Sequence, residues 1–375
     1  MNKYLFILGL VGTALFSACS ADDLTTVLPP EEEEAIVVEA GKDSDVPIAL
    51  GARTERGMTR APLDPVGAGN FETPDGQFIG VFCLAGGRQT GAPSVVPNDN
   101  SIYWNTHPYA TWMDNVPATV SSSGVVEFKD STTLSELTPT DKTLYYPFGN
   151  WYHYDFFAYY PRQAGKYVWV GQGRVDVDFT IDGSQDIIVG RALGSAKTAI
   201  NGVKAYSAKY MQLGGEKPIF EFSEHKLTQL VFYVKPQAGY ADALYTNSFQ
   251  LTGLKIINVY NKLVLYAASK GDNYGNLIIK NDSTQDLPVC TDMSGVYSSM
   301  PFNIAISDDD ENKKLVGYAM LPPSDLIASR TNNTYQVTIE GTSSAGAYSK
   351  QVTLAGPFEA GKKYEIVLEI KNRDE

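Results

Sequence analysis

The sequence predicts an all-β protein whose strands stack as β-sandwiches, and three observations lead there. Val175, Val177, Phe179 and Ile181 alternate with Asp176, Asp178 and Thr180, and Tyr364, Ile366, Leu368 and Ile370 alternate with Glu365, Val367, Glu369 and Lys371. A period of two sets one face on a core and the other in water. Such runs are separated by clusters of Gly, Asn, Asp and Pro, which turn a chain. No apolar 3.6-residue pattern reaches ten residues: the nearest candidate, 192–209, is interrupted by Gly194, Asn201 and Gly202 and reads as a long loop. Stacked sheets bury many half-apolar strands at once.

Taken in order, the strand-like runs are 78–84, 125–128, 154–160, 175–181, 227–234, 251–259, 263–266, 315–321, 335–339, 351–354 and 364–370. Each is rich in Val, Ile, Leu, Phe or Tyr, side chains suited to a pleated and partly buried surface. Two shorter runs, 36–38 and 46–50, lie ahead of them.

The chain begins with Lys3, an apolar run over 5–16 and the tetrapeptide Phe16-Ser17-Ala18-Cys19. That run is too short to span a bilayer and has no basic flank after it, so it reads as a cleaved secretory leader (1–18) ending at a lipidatable cysteine. The mature protein is then expected to start at Cys19 and to be held to a membrane by acyl chains, each buried methylene contributing about 0.8 kcal/mol. Ser20-Ala21-Asp22-Asp23 follows and resembles the export signal of surface lipoproteins in Bacteroidales-type bacteria, which implies an outward-facing location on the outer membrane.

Residues 19–60 form an acidic tether, with Pro29-Pro30 and four consecutive glutamates at 31–34. As a disordered segment its 39 residues from Asp22 would span roughly 35 Å. From Cys19 onward the chain has 357 residues, a length suited to two domains, 61–215 and 216–375. The boundary is placed in Gln212-Leu213-Gly214-Gly215-Glu216-Lys217-Pro218, where paired glycines and a proline separate apolar runs.

The net charge is −13, and no basic stripe offers a nucleic-acid surface. With Cys19 lipidated, Cys83 and Cys290 remain, 207 positions apart in different predicted domains, and read as buried small hydrophobes rather than a disulfide.

Several of these stretches together resemble the fimbrillin family, the type V pilins of Bacteroidales. Tyr145-Tyr146-Pro147 followed by Tyr154-Asp155-Phe156-Phe157-Ala158-Tyr159-Tyr160-Pro161 is similar to the aromatic hallmark of that family. Gly57-Met58-Thr59-Arg60-Ala61, Phe78-Ile79-Gly80-Val81-Phe82, Phe222-Ser223-Glu224-His225-Lys226-Leu227 and Gly361-Lys362-Lys363-Tyr364 match in order and cover nearly the whole chain. The resemblance implies two tandem transthyretin-like β-sandwiches in a lipoprotein subunit that assembles on the cell surface with other fimbrillin subunits. In the family an arginine-specific protease removes an N-terminal strand, and the neighbouring subunit fills the groove. Strand addition satisfies the unpaired backbone groups of a sheet edge while alternate side chains enter the core.

Here the matching arginines are Arg53, Arg56 and Arg60, just after the run Val46, Pro47, Ile48, Ala49 and Leu50. That run is the nearer candidate for the displaced strand, and 36–38 is the alternative. A solvated loop would also carry three such arginines. At the other end, the run from Tyr364 is either a donor strand or the last core strand. As a core strand, with the chain ending at Glu375, it would favour a tip or anchor subunit over a stalk pilin.

No catalysis and no cofactor is expected. His107, His153 and His225 lack the spacing of a zinc helix, and neither a nucleophile elbow nor a phosphate-cradling glycine loop occurs. Asp308-Asp309-Asp310-Glu311-Asn312 lacks the spacing and central glycine of a calcium loop. Asp176 and Asp178 could in principle serve as glycosidase carboxylates, but alternation places them on a strand's water face. A second class of function is a glycan-binding surface lipoprotein that does not polymerise, stacking Tyr103, Trp104, Trp112, Trp151, Tyr152 and Trp169 on sugar rings. A host or bacterial surface ligand would suit either class. Asp130-Ser131-Thr132 and Asp282-Ser283-Thr284 resemble the O-glycosylation acceptor of the same bacteria, which would place sugars on Ser131 and Ser283.

Overall fold

The computed structural model describes residues 43–53, 72–86, 113–147, 152–170, 174–239, 249–269, 271–290, 302–303, 313–331, 333–344 and 346–371. Strands dominate. The first ten are β1 (Asp43–Pro47), β2 (Leu50–Arg53), β3 (Ile79–Gly86), β4 (Val116–Val120), β5 (Val125–Phe128), β6 (Tyr145–Pro147), β7 (His153–Tyr160), β8 (Tyr167–Trp169), β9 (Arg174–Thr180) and β10 (Ile188–Leu193). A five-residue helix α1 (Ala208–Gln212) follows, then β11 (Ile219–His225), β12 (Thr228–Pro236), β13 (Gln250–Tyr260), β14 (Lys262–Ser269), β15 (Leu277–Ile279), β16 (Thr284–Pro288), β17 (Phe302–Asn303) and β18 (Lys314–Leu321). Helix α2 (Ser324–Thr331) precedes β19 (Thr334–Ser343), β20 (Gly346–Ala355) and β21 (Lys363–Ile370).

Seven strands close into a barrel in the order β10-β11-β2-β5-β4-β3-β7, and a four-stranded sheet, β15-β14-β9-β8, packs against it. The central strand is β7, hydrogen-bonded to β3 and β10 and buried along almost its whole length. Its alternation explains why the aromatic run is continuous: a strand covered on both faces has no water face to keep polar. Phe156 meets Tyr146 edge-on at 6.3 Å and Tyr206 at 6.2 Å, while Phe157 meets Tyr274 at 5.3 Å and Tyr159 meets Phe179 at 6.1 Å. Tyr274 follows β14 and Phe179 lies in β9, so the odd-numbered rings face the four-stranded sheet and the even-numbered ones face the barrel interior.

The second core lies between a three-stranded sheet, β18-β12-β21, and a five-stranded one in which β13 pairs with β16, β17 and β19, and β19 with β20. Its buried residues are mainly Leu, Ile and Val. This half is a two-layer sandwich as the sequence suggests, whereas hydrogen bonding closes the first half into a ring.

The pairing crosses the boundary expected at 215/216. β11 lies beyond it yet sits between β10 and β2, and β14 pairs with β9. The physical reason is continuity: only Lys226 and Leu227 separate β11 from β12, so one nearly unbroken spine serves both halves. β2 runs parallel to β11, and β21 runs parallel to β12. At the junction the Lys226 N–H donates to Ile187 O beside β10, and the Leu227 carbonyl accepts from Gly361 N ahead of β21. Successive backbone groups of a strand point to opposite edges. The N-terminal and C-terminal strands therefore dock on the same edge of the spine.

The stretch 192–209 carries the end of β10, a 3-10 turn (Gly194–Ala196) and the start of α1, so part of the expected loop is ordered. Ser207 caps α1 by accepting from Tyr210 N. Helix α2 has eight residues, below the length at which a periodic pattern stands out.

Candidate assembly site

The site is the seam at which β2 closes the barrel. Leu50 and Gly51 face Val126 and Val125 of β5 in antiparallel register, and Gly51, Ala52 and Arg53 face Ile219, Phe220 and Glu221 of β11 in parallel register. Backbone bonds Gly51 N to Pro218 O (2.9 Å) and Ala52 N to Gly124 O (2.8 Å) stitch the two sides. Just ahead, Ile48 N donates to Leu144 O at 2.8 Å, and β1 pairs with β6. Ile48, Leu50 and Ala52 alternate into the interior and are buried, while Ala49 and Arg53 are exposed.

The expected displaced strand, Val46 to Leu50, is thus split. Val46 and Pro47 end β1, Ile48 and Ala49 link the strands, and Leu50 begins β2. Arg53 closes β2 and is therefore a strand residue. Its Nε donates to both carboxylate oxygens of Glu221, each at 2.8 Å, across the outer face of the ladder. The side chains are 60% and 35% exposed, so this fork is screened by water and holds the strand end only modestly. Cys19, Arg56, Arg60 and the run 36–38 lie outside the described residues.

The last strand, β21, is seated in the second core. It faces β12 over eight register positions from Lys363↔Gln229 to Ile370↔Pro236, with Leu368 and Ile370 buried. β12 is its one hydrogen-bonded neighbour among the described strands.

The remaining sequence candidates are dispersed. Ser131 and Ser283 are exposed turn residues; Asp130 accepts from Thr132 N and Oγ1, and Ser283 Oγ donates to Asn281. His153 approaches Asp155 at 3.8 Å, and His225 is buried against Asp186. Asp176 pairs with Arg174 and Asp178 with Lys280. Tyr152 is buried and Trp169 packs edge-on against Phe82 at 6.0 Å. Burial pushes the Asp114 carboxyl above the usual carboxylate range, and hydrogen bonds from Tyr167 and Trp169 pull it back. Both aromatic rings thus belong to the packing. Tyr103, Trp104, Trp112, Trp151, His107 and 308–312 lie outside the described residues. Among the described residues no three His, Cys, Asp or Glu side chains gather to hold a metal ion. Cys83 and Cys290 are buried without a disulfide between them, and burial pushes the Cys83 thiol well up.

Sequence reasoning missed Glu221. Nothing in the sequence pairs it with Arg53, 168 positions away, because the pairing depends on a parallel ladder between chain-distant strands.

No protein-family model matches the chain, and no curated protein matches it. The chain is similar to solved adhesion and fimbrial structures from Bacteroides. One is a candidate cell adhesion protein from Bacteroides uniformis, at 16% identity and a TM-score of 0.42, covering 86% of this chain and 94% of that one. Another, from Bacteroides fragilis, stands at 12% identity and 0.41, with 88% and 94% covered. A fimbrial protein from Bacteroides ovatus stands at 14% identity and 0.31, with 86% and 48% covered.

Proposed function

We propose that this chain is a structural or adhesive pilus subunit of the fimbrillin type. In this reading it is exported as a lipoprotein through Cys19 and assembles on the cell surface by strand addition once the N-terminal segment has been removed. The observation that carries it is the placement of β2. It is the strand that joins β5 to β11, so its departure converts a closed ring into an open groove with an unpaired edge on each side. Two unpaired edges over an apolar interior form a strong template for an incoming strand. The chain also contains a second strand of the same design. Ile48-Ala49-Leu50-Gly51-Ala52-Arg53 and Ile366-Val367-Leu368-Glu369-Ile370-Lys371 share alternating apolar positions and a closing basic residue. Both run parallel to the spine on the same edge. The terminal strand of a neighbouring subunit is therefore a fitting guest for the vacated seam once it has left its own seat beside β12.

Mass spectrometry of the N-terminus of surface-purified protein, beside an unheated gel, tests this reading. It predicts a start beyond β2, at Thr54, Gly57 or Ala61, together with a ladder of heat-sensitive oligomers. A start at lipidated Cys19 without a ladder contradicts it.

A further inference from the structure

The outer face of the seam carries charges whose order matches those of β21. Opposite Arg53 stands Glu221, its carboxylate occupied by the guanidinium fork. Beside Gly51 stands Lys217: a Cβ placed on Gly51 would sit 3.5 Å from Lys217 Cε and 3.4 Å from Ile219 Cγ1, which is ordinary contact. A strand laid in the register of β2 therefore meets a cation beside its second position and an anion opposite its fourth. The corresponding residues are Glu369 in β21 and Lys371 directly after it, with Leu368 in the place of Leu50 and Ile370 in the place of Ala52. In its own seat Glu369 already faces a lysine, Lys235, at 3.4 Å. Two positions differ in size: Ile370 is bulkier than Ala52, and Glu369 takes the place of Gly51, which is buried and carries no side chain.

Resting on the strand-addition reading, we infer that Lys217 and Glu221 select the incoming strand by charge, receiving Glu369 and Lys371 from a second copy of this chain whose β21 has left its own seat beside β12. The cue acts at the rim of the groove, where charges govern encounter and register more than final affinity. It also explains why Arg53 belongs to the departing segment: its release uncovers Glu221 for the newcomer.

The test mixes two differently tagged full-length chains after arginine-specific processing and scores mixed oligomers on an unheated gel. The receptor carries R53E with E221K, so the uncut barrel keeps an ion pair at that position. Expected is a fall of about fivefold in the rate of mixed-oligomer formation with a wild-type donor, and recovery when the donor carries K371E. A ladder that forms at equal rates whatever the charge at 221 and 371 overturns the charge selection and leaves strand addition standing. No ladder from processed wild-type protein overturns both.

Discussion

In the barrel, the N-terminal strand β2 lies between two partners, β5 and β11, whereas in the C-terminal sandwich β21 leans on β12 alone among the described strands. The two strands share an alternating pattern, a direction and an edge of the spine, so what differs is the consequence of losing each. Losing β2 breaks a ring and uncovers two edges at once. Losing β21 shortens a sheet and uncovers one. The cores differ as well. The barrel side buries many Tyr and Phe rings, while the C-terminal sandwich is filled mainly with Leu, Ile and Val. A ring packed with large side chains has more to lose from a gap in its wall, and more to gain from a strand that fills it.

The largest expected effect comes from deleting the ring that braces the barrel interior. Phe156→Ala removes a fully buried side chain in contact with Tyr146 and Tyr206, and should cost about 3–5 kcal/mol in chemical denaturation. A loss under about 1 kcal/mol would mean that the aromatic run does not carry the fold.

Next come Leu50→Ala and Leu368→Ala, both at positions at most 3% exposed, each expected to cost about 2–5 kcal/mol. Hydrogen exchange should separate them. The first should speed exchange in both β5 and β11, the second in β12 with β5 unchanged. Equal effects on β5 would erase the contrast between ring and edge.

Gly80→Ala sharpens the packing of β7 against β3. A Cβ at Gly80 would lie 2.3 Å from Tyr159 Cε1 and 2.4 Å from Asn115 Oδ1, and Tyr159 OH donates to that same Asn115 oxygen at 2.8 Å. The buried ring must give way, costing about 1–3 kcal/mol of thermal stability. Unchanged melting would show that the ring has slack.

The smallest effect is at the seam surface. Glu221→Gln should cost less than about 1 kcal/mol in the uncut protein, because the pair with Arg53 is largely in water. A larger loss would make the fork a principal fastening of β2.

Much of the fold can be read in the sequence where a strand has one wet face. The alternation over 175–181 and 364–370 locates β9 and β21 almost to the residue. The doubly buried run of β7 is equally clear, since Tyr154 to Tyr160 is apolar and aromatic apart from Asp155, which accepts from Ser195 N at 2.8 Å. Three-residue strands such as β8 and β15 are too short to show a period. β10 hides because Gly190 and Arg191 break its apolar run, although Gly190 is there to admit the Phe222 ring. Closure of the barrel was not legible, because it depends on a parallel partnership between residues 50–53 and 219–221 that no local pattern encodes. For the same reason the arginines were visible as a cluster, while the role of Arg53 within a strand was not.

Purified full-length protein can be cut with an arginine-specific protease and its oligomers followed on an unheated gel, with hydrogen exchange read at 125–128 and 219–221. If β2 is the removable wall of the barrel, the cut chain shows rapid exchange at both edges as a monomer, and slow exchange returns as heat-sensitive oligomers form. A cut chain that stays monomeric with both edges still protected would contradict it.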